Sequence, residues 1–466
     1  MHGVGCVFGV KWQPCTALEL PLGMSQRETK AVEGSRTPYV RSHMNVAALN
    51  SICDDFARMT LILRILLMVA ALGWTSSARA QIDPTHRELV QLGYNQPLEG
   101  RGPLAAYAFY YLNRPEFLHQ TNLTLRLAIA PVYLDSELGI RGALGPNTDL
   151  GVGVAGGGFA DSYSEVRRGN YEQKESFLGH GGMISSSIYH LFNPAARMPL
   201  YGVLRGGVHF STYAEDGQTA EDFEVPGDQV NYHVRAGLRL GGVEPVMMPA
   251  LAGELSMWYD GDFRGNPTRY GFNNDRELKN AAHLFWGRAL LNYTTPTLKH
   301  NIGVNLTAGT GTGMDRLSAY RLGGTLPLGS EFPLTLPGYY HHELSAQSFV
   351  VLNGSYNLPL DRRQMFLLNF TGSTAWLDYL KGLEQPGRWN SGIGGGLVFR
   401  SPTDSWLVGI GYGYGFNAIR GDARGAQSLL FLLQFDWGRT RHRLYNPDDS
   451  IGRTRGLDTI LRNIFR

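Results

Sequence analysis

One pair of residues in this chain has types and spacing that suit covalent catalysis. His209 and Ser211 stand two positions apart, and a serine activated by a histidine base is the usual nucleophile of lipid hydrolysis. In a strand, however, both residues would alternate with the apolar Val208 and Phe210 and share the polar face. Because a membrane lipase needs them on its lipid-facing side, we predict no enzyme activity and keep a lipolytic enzyme as a minor alternative.

Other polar clusters give weaker signals for ion binding. His180 stands between two glycines, His341 and His342 are adjacent, and residues 214–228 are rich in carboxylates. No cysteine or fixed spacing of carboxylates completes a ligand set at any of them. We therefore predict neither a metal site nor a cofactor.

Charged residues also recur on one face of segments whose other face is apolar. Arg235 and Arg239 alternate with Val234, Ala236 and Leu238, a period of two that only a strand can hold. Water must reach such charges, and a lumen supplies it most simply. The same argument predicts lumen-facing positions for Arg126, Glu137, Arg141, Arg235, Arg239, Glu254 and Arg288. In an open pore these arginines would favour anionic solutes, and ion pairs with Glu137 and Glu254 explain them equally well.

Strands of this kind repeat along most of the chain. Each is about ten residues long, enough to cross a bilayer at a tilt, whereas no run of 18 apolar residues forms a membrane helix. The composition agrees, because glycine accounts for 59 of 466 residues and charged residues for 18%, below the roughly 25% of soluble proteins. We predict an all-β fold, a transmembrane antiparallel β-barrel of about 16 strands over residues 103–438, with 315–324 as one strand.

The connections between these strands are predicted to differ in length at the two ends of the barrel. Short turns are expected at 296–297, 360–362 and 402–403, and long loops at 161–180, 214–228, 262–281, 325–344 and 379–388. Short periplasmic turns opposite long external loops are typical of outer-membrane barrels.

The segment before the barrel has the features of an export signal. Arg64 precedes an apolar run of about ten residues, and Ala78-Arg79-Ala80 is a small-x-small cleavage pattern. We predict a signal peptide at 59–80, translation starting at Met59 with residues 1–58 a non-native leader, a periplasmic lead at 81–102 and a periplasmic tail at 439–466. All three cysteines precede Met59, which suits a chain exported through an oxidising periplasm to the bacterial outer membrane.

Residues 313–360 carry an ordered set of motifs. Arg321 precedes the pair Gly323-Gly324, Gly338-Tyr339 follow, and a strand ends at 356–360 with Tyr-Asn-Leu-Pro-Leu. This order resembles the bacterial surface antigen family of outer-membrane barrels, the type used for barrel assembly and two-partner secretion. The resemblance implies that Gly338 and Tyr339 form the tip of a loop that folds into the lumen.

One position departs from the family pattern. The family has an arginine where this chain has Pro337, and proline cannot form the buried ion pair that this arginine makes with a lumenal carboxylate. We therefore expect that ion pair to be missing, and the sequence leaves open whether the loop is inserted and whether an assembly-type mechanism applies. The resemblance concerns the barrel without the family's periplasmic modules, because about 20 residues separate Ala80 from the first predicted strand.

These observations predict an outer-membrane barrel that acts as a pore or as a transport or assembly channel for a solute or a polypeptide. The alternative is a plugged structural or adhesive surface barrel. The expected partners are outer-membrane lipid and lipopolysaccharide, with a periplasmic or surface protein as a further candidate. The mature chain is close to neutral, so nucleic acid is not an expected partner.

Overall fold

The computed structural model describes residues 86–196, 198–241, 250–324, 334–403 and 405–437. Within these ranges, sixteen long strands form one antiparallel sheet, and the first strand pairs with the last. The predicted fold class is therefore confirmed as an all-β chain with a closed 16-strand antiparallel barrel. The predictions for residues 1–80 and 439–466 lie outside the described ranges.

The strands in chain order are β1 (Arg87–Pro97), β2 (Ala105–Pro115), β3 (Leu123–Ala130), β4 (Tyr133–Ile140), β5 (Thr148–Gly157), β6 (Val166–Arg167), β7 (Asn170–Tyr171), β8 (Phe177–Leu191), β9 (Leu200–Glu215), β10 (Phe223–Glu224), β11 (Gln229–Gly241), β12 (Leu251–Arg264), β13 (Arg269–Phe272), β14 (Arg276–Glu277), β15 (Ala281–Thr294), β16 (Asn301–Thr312), β17 (Tyr320–Leu322), β18 (Leu344–Pro359), β19 (Phe366–Tyr379), β20 (Trp389–Arg400), β21 (Trp406–Arg420) and β22 (Ala423–Asp436). The barrel wall consists of β1–β5, β8, β9, β11, β12, β15, β16 and β18–β22. Two 3₁₀ turns lie at Phe117–His119 and Gln173–Glu175.

Two predicted boundaries of the barrel are wrong. The range 81–102, predicted as a periplasmic lead, contains the barrel strand β1, which closes the wall by pairing with both β2 and β22. The range 315–324, predicted as a barrel strand, contributes only the three-residue β17. This short strand lies within a long connection and pairs with the first three residues of β18. The two errors cancel, so the predicted strand number agrees with the structure.

Each wall strand separates an apolar outer face from a polar inner face. On β11, Val230, Tyr232 and Leu238 are exposed outward, whereas Asn231 is buried and Arg235 contacts other inner side chains. This alternation is what a strand between lipid and a lumen requires. None of the described helical segments is long and apolar enough to cross a membrane.

The predicted short turns and the predicted long loops lie at opposite ends of the barrel. All three predicted short turns lie at the end where β1 begins and β22 ends, which we call the short-turn end. The connections 158–176, 216–228, 265–280, 313–343 and 380–388 lie at the opposite, long-loop end. The alternation is not strict, because the two-residue turns 131–132 and 421–422 also lie at the long-loop end.

Three long connections form a folded cap with its own apolar core. We define the cap as residues 158–176, 216–228 and 265–280, which contain the hairpin β6–β7 and the small sheet β10–β13–β14. Phe177, Phe223 and Tyr270 are almost fully buried against one another, with ring centroids 6.0 to 6.4 Å apart. Edge-to-face and offset contacts at such distances stabilise aromatic clusters, so the cap is a packed structure.

Candidate functional site in the barrel lumen

We call the connection 313–343 the plug loop; its described residues, 313–324 and 334–343, lie in the lumen and reach the wall formed by β20–β22. At its tip, Gly338 adopts φ +84, and a Cβ built on it would lie 2.0 Å from the Gly415 nitrogen and 2.5 Å from the Ala426 oxygen. Tyr339 is fully buried, and its hydroxyl donates to Asn390 Oδ1 at 3.3 Å. The tip is therefore docked backbone to backbone on the inner wall.

The wall beneath the tip is lined with glycines that permit this close approach. A Cβ on Gly392 would lie 2.4 Å from the Pro337 oxygen, and one on Gly413 would lie 3.1 Å from the Pro337 Cβ. Gly394 and Gly415 complete the patch on the inner faces of β20 and β21. A side chain at any of these positions would hold the loop away from the wall.

A bidentate ion pair secures the docked loop. Arg420 of β21 donates from both terminal nitrogens to Glu343 of the plug loop, at 2.9 Å each. Glu343 is fully buried on its side chain and also accepts the Tyr340 backbone N–H at 2.7 Å. The Arg420 guanidinium lies 3.5 Å from the Tyr340 ring centroid, within cation–π distance.

Pro337 therefore does not prevent insertion of the loop. The loop is inserted although its arginine position holds proline, because the wall supplies the cation and the loop supplies the carboxylate. Arg420 also donates to the Gly338 carbonyl at 3.4 Å. The polarity of the pair is the reverse of the one expected from the family resemblance.

The other motif residues hold the base of the plug loop together. Gly323 pairs with the returning strand of the loop, donating to the Leu334 oxygen at 3.1 Å and accepting from the Leu336 nitrogen at 2.8 Å. Gly324 N donates to the Tyr340 oxygen at 2.7 Å. Arg321 donates to the Ser164 carbonyl of the cap at 2.5 Å. The structure thus brings the predicted motif residues into one assembly.

His341 is a titratable group of the plug loop with a displaced acidity. Burial, together with the nearby Arg321 guanidinium, lowers the pKa of His341 to about 4. Its ring stacks on that of His342 with centroids 3.8 Å apart. His341 is therefore uncharged at neutral pH in the docked loop.

Glu137 is the centre of an ionic network on the inner wall. Arg126 and Arg205 reach Glu137 Oε2 at 2.9 and 3.1 Å, and Tyr189 donates to Glu137 Oε1 at 2.5 Å. Side chains from β3, β8 and β9 thus contact the Glu137 carboxylate on β4. This carboxylate neutralises the two arginines, whose charges would be costly to bury without a partner.

A second network surrounds Glu254 on β12. Arg288 reaches Glu254 Oε1 at 2.7 Å, and Arg239 lies 3.5 Å from Oε2. Arg235 lies 3.6 Å from Asp260 and 4.6 Å from the Trp258 ring centroid. The arginines predicted to line the lumen therefore have carboxylates on neighbouring strands, which favours the ion-pair alternative over a free anion path.

The remaining predicted lumenal cation makes a neutral contact. Arg141, at the short-turn end of β4, donates to Thr124 Oγ1 at 3.3 Å. It therefore also lies beside the inner wall.

Replacing Glu137 by alanine is expected to destabilise the barrel strongly. The substitution leaves Arg126 and Arg205 without their shared carboxylate, and removing one partner of a buried pair typically costs about 3 to 5 kcal/mol. Urea unfolding in lipid vesicles would measure the change. Glu277→Ala is the matched control, because its pair with Lys279 at 2.8 Å is exposed and surface ion pairs contribute little to stability. Equal losses for both variants would contradict this interpretation of the network.

The residues that first suggested catalysis have a different role in the structure. His209 and Ser211 lie on the inner face of β9, and both contact Asp161 Oδ2 of the cap at 2.6 Å. Ser211 donates to the aspartate, so the pair lacks the serine-to-histidine hydrogen bond of a catalytic triad. These contacts attach residues 158–176 to the wall, as the pair of Arg264 with Asp315 attaches the plug loop.

Several of these contacts involve residues that the sequence did not single out. Arg205 and Asp260 stand at inward positions of predicted strands, so the period-two pattern could have identified them. Arg420, Glu343 and Asp161 gave no such signal, because their partners are distant in sequence and meet only in the closed barrel.

Comparison with known proteins extends the fold assignment. No protein-family model and no curated protein sequence matches the chain. Among solved structures, the chain is similar to BamA from Haemophilus ducreyi lacking POTRA domains 1–3, with a TM-score of 0.51 and 10% identity over 76% of this chain and 70% of that one. CdiB from Acinetobacter baumannii matches with a TM-score of 0.48 and 10% identity over 76% and 60%. OccK11 (OpdR) from Pseudomonas aeruginosa gives 0.34 and 11% over 78% and 99%.

The likeness to BamA confirms the predicted resemblance at the level of the fold. The alignment covers 76% of this chain and 70% of that one, and this chain forms a closed sixteen-strand wall. A sequence identity of 10% shows a common fold and nothing more specific. The chain is thus a closed antiparallel β-barrel with the fold of the outer-membrane barrel BamA.

Proposed function

We propose that this protein is an outer-membrane channel closed by its own plug loop, and that it passes a polypeptide or a solute when the plug loop leaves the lumen. The docked tip of the plug loop carries this proposal. Gly338 and Tyr339 lie against the inner face of β20–β22, where they are fixed by contacts between the loop and the wall and not by pairing within the wall.

The plug loop is held in the lumen by polar and by apolar contacts. It borders two lumenal cavities of about 120 and 170 Å³, each with room for several waters, and its ion pair with Arg420 is compact and bidentate. Leu322, Leu336 and Tyr339 of the loop also belong to a buried apolar cluster. The gate that we propose therefore has to break both kinds of contact when the loop leaves the lumen.

Acidification is expected to open the wild-type channel. The pKa of His341 is about 4 in the docked loop and near 6.5 when the loop is free, so between these values the free loop binds a proton that the docked loop does not. Docking is therefore strongest above pH 6.5 and weakens as the pH falls toward 4. At pH 5 the docking equilibrium should be weaker by about tenfold or more.

Single-channel recording in a planar bilayer tests both the proposal and its pH dependence. We expect a nearly silent barrel at pH 7.5 and open events that become more frequent toward pH 5. His341→Asn should remove most of this pH dependence, whereas the control His300→Asn, at the short-turn end, should keep it. Wild-type protein that stays silent from pH 7.5 to 4.5 and in variants with a broken Arg420–Glu343 pair would contradict the gate.

The folded cap favours one second candidate function. Its aromatic core and the ion pairs of Arg276 with Glu165 and Glu175 give it a defined outer surface, which a structural or adhesive surface barrel would use to bind a partner protein. In such a barrel the plug loop stays docked, so the wild type is expected to remain silent from pH 7.5 to 4.5. Opening of the wild-type barrel by acidification therefore separates the two functions.

A further inference from the structure

On four adjacent strands, the short-turn part of the inner wall is free of ionisable and aromatic side chains. At the short-turn side of β15, β16, β18 and β19, the inward positions from 290 to 307, 351 to 359 and 367 to 375 hold only Asn, Ser, Thr, Gly, Ala, Leu, Val and Pro. We call its six asparagines the amide strip: Asn292, Asn301, Asn305, Asn353, Asn357 and Asn369. The charged networks lie on other strands, except that Arg288 lies nearer the long-loop end of β15, so the lumen has a charged region and a neutral region.

The amides of the strip form a hydrogen-bonded ladder across four strands. Asn369 donates to Asn357 at 2.7 Å, Asn357 donates to Asn301 at 3.0 Å, and Asn301 donates to Asn292 at 2.5 Å. Each primary amide has two N–H donors and an oxygen with two lone pairs. The ladder therefore fixes the orientation of the side chains and still has hydrogen-bonding capacity for a ligand.

The strip opens on a cavity that is bordered by extended polypeptide. The cavity encloses about 170 Å³ between the strip and the plug-loop residues Thr335 and Pro337. Asn353 lines it, and its buried Oδ1 accepts no hydrogen bond from the residues that the structure describes. Opposite, Leu334 and Leu336 run in extended form beside Gly323.

The chemistry of the strip limits what it can bind. Phosphate and carboxylate ligands need cations, and metal ions need charged or clustered oxygen ligands, neither of which the strip offers. Main-chain amides match it, because an extended polypeptide presents N–H and C=O groups in turn. Four strands about 4.8 Å apart span about 14 Å, which is the length of four to five residues in extended form.

We propose that the amide strip binds the main chain of an extended, uncharged polypeptide segment of about four to five residues, without preference for its side chains. This inference rests on the proposed function, since it describes what a channel that passes a polypeptide would hold in its neutral region. The plug-loop segment 334–337 lies across the cavity from the strip, and its main chain is hydrogen-bonded there to Gly323.

Photo-crosslinking tests the site directly. The probe is an N-acetylated, amidated dodecapeptide of alternating Gly and Thr that carries a benzophenone, added to the full chain in lipid nanodiscs. We expect its crosslinks to concentrate in residues 290–307 and 351–375. Asn357→Leu, which interrupts the ladder, should lower the yield at least fivefold, and Asn357→Gln should restore part of it.

The control variant is Gln434→Leu, which removes another neutral inward amide, paired with Gln91 at 2.9 Å on β1. Its crosslinking yield should equal that of the wild type, and heat-dependent gel migration should show that all variants are folded. Crosslinks spread evenly around the lumen, or an unchanged yield in Asn357→Leu, would overturn the proposal. So would suppression by excess maltohexaose but not by unlabelled peptide, which would indicate a sugar site.

Crosslinking and conductance, measured on the same barrel, separate this inference from the proposed function. If the barrel conducts on plug release but gives no localised crosslinks, the proposed channel is supported and the proposed peptide site is refuted. If crosslinks are localised in a barrel that never conducts, the peptide site is supported and the channel is refuted.

Discussion

Arg420→Ala should convert a nearly silent barrel into a conducting one. The substitution removes both hydrogen bonds to Glu343 and the contact with the Tyr340 ring. It leaves a fully buried carboxylate without its cation, which typically costs about 3 to 5 kcal/mol. If that cost falls on docking, the docked state weakens at least about a hundredfold relative to the free loop.

Single-channel conductance at pH 7.5 measures this effect, and two further variants make the result specific. Arg424→Ala removes an exposed arginine from the adjoining strand β22 and should leave the barrel silent. The double exchange Arg420→Glu with Glu343→Arg places an opposite pair at the same site and should recover part of the closure. A silent Arg420→Ala barrel that is correctly folded would show that the ion pair does not hold the gate.

Gly338→Ala should open the barrel by a different route. At φ +84 an alanine is strained, and its Cβ would approach the Gly415 nitrogen to 2.0 Å, where backbone cannot move aside without breaking the pairing of β21. Overpacking and left-handed strain together cost about 2 to 4 kcal/mol. The plug loop can avoid this cost only by leaving the wall, so the open probability should rise more than tenfold.

Gly387→Ala is the matched control for this variant. Gly387 has φ +89 in the connection 380–388, but open space surrounds the position of its Cβ. It carries the same backbone strain without the clash, and its open probability should stay near that of the wild type. Similar recordings from the two alanine variants would mean that strain in a loop, and not docking of the tip, controls the current.

The wall of the barrel could be predicted because its pattern is local. Strand β21 runs from Trp406 to Arg420, and the alternation of aromatic and glycine residues at 406–416 indicated it without reference to any other segment. Lipid selects one face of each strand and water the other, so period two appears wherever the wall does. The same reasoning placed Arg126, Glu137 and Glu254 at inward positions.

Prediction from the sequence failed where alternating apolar residues are buried against protein instead of exposed to lipid. Residues 315–324 contain alternating apolar side chains because they pack inside the lumen, where Leu317, Tyr320 and Leu322 are buried. Burial against protein and exposure to lipid select similar residues, so periodicity cannot distinguish them. Strand β1 was missed because its inward residues are polar and its closing partner β22 lies at the other end of the chain.

The sequence by itself determined that the chain forms about sixteen antiparallel strands with long loops at one end, because alternation and turn composition are properties of consecutive residues. Only the tertiary structure decided that the plug loop is docked, since Arg420 and Glu343 are 77 residues apart and the glycine patch becomes a surface only when β20 and β21 pair. A contact between distant segments depends on how the whole sheet closes, and no local pattern encodes that closure.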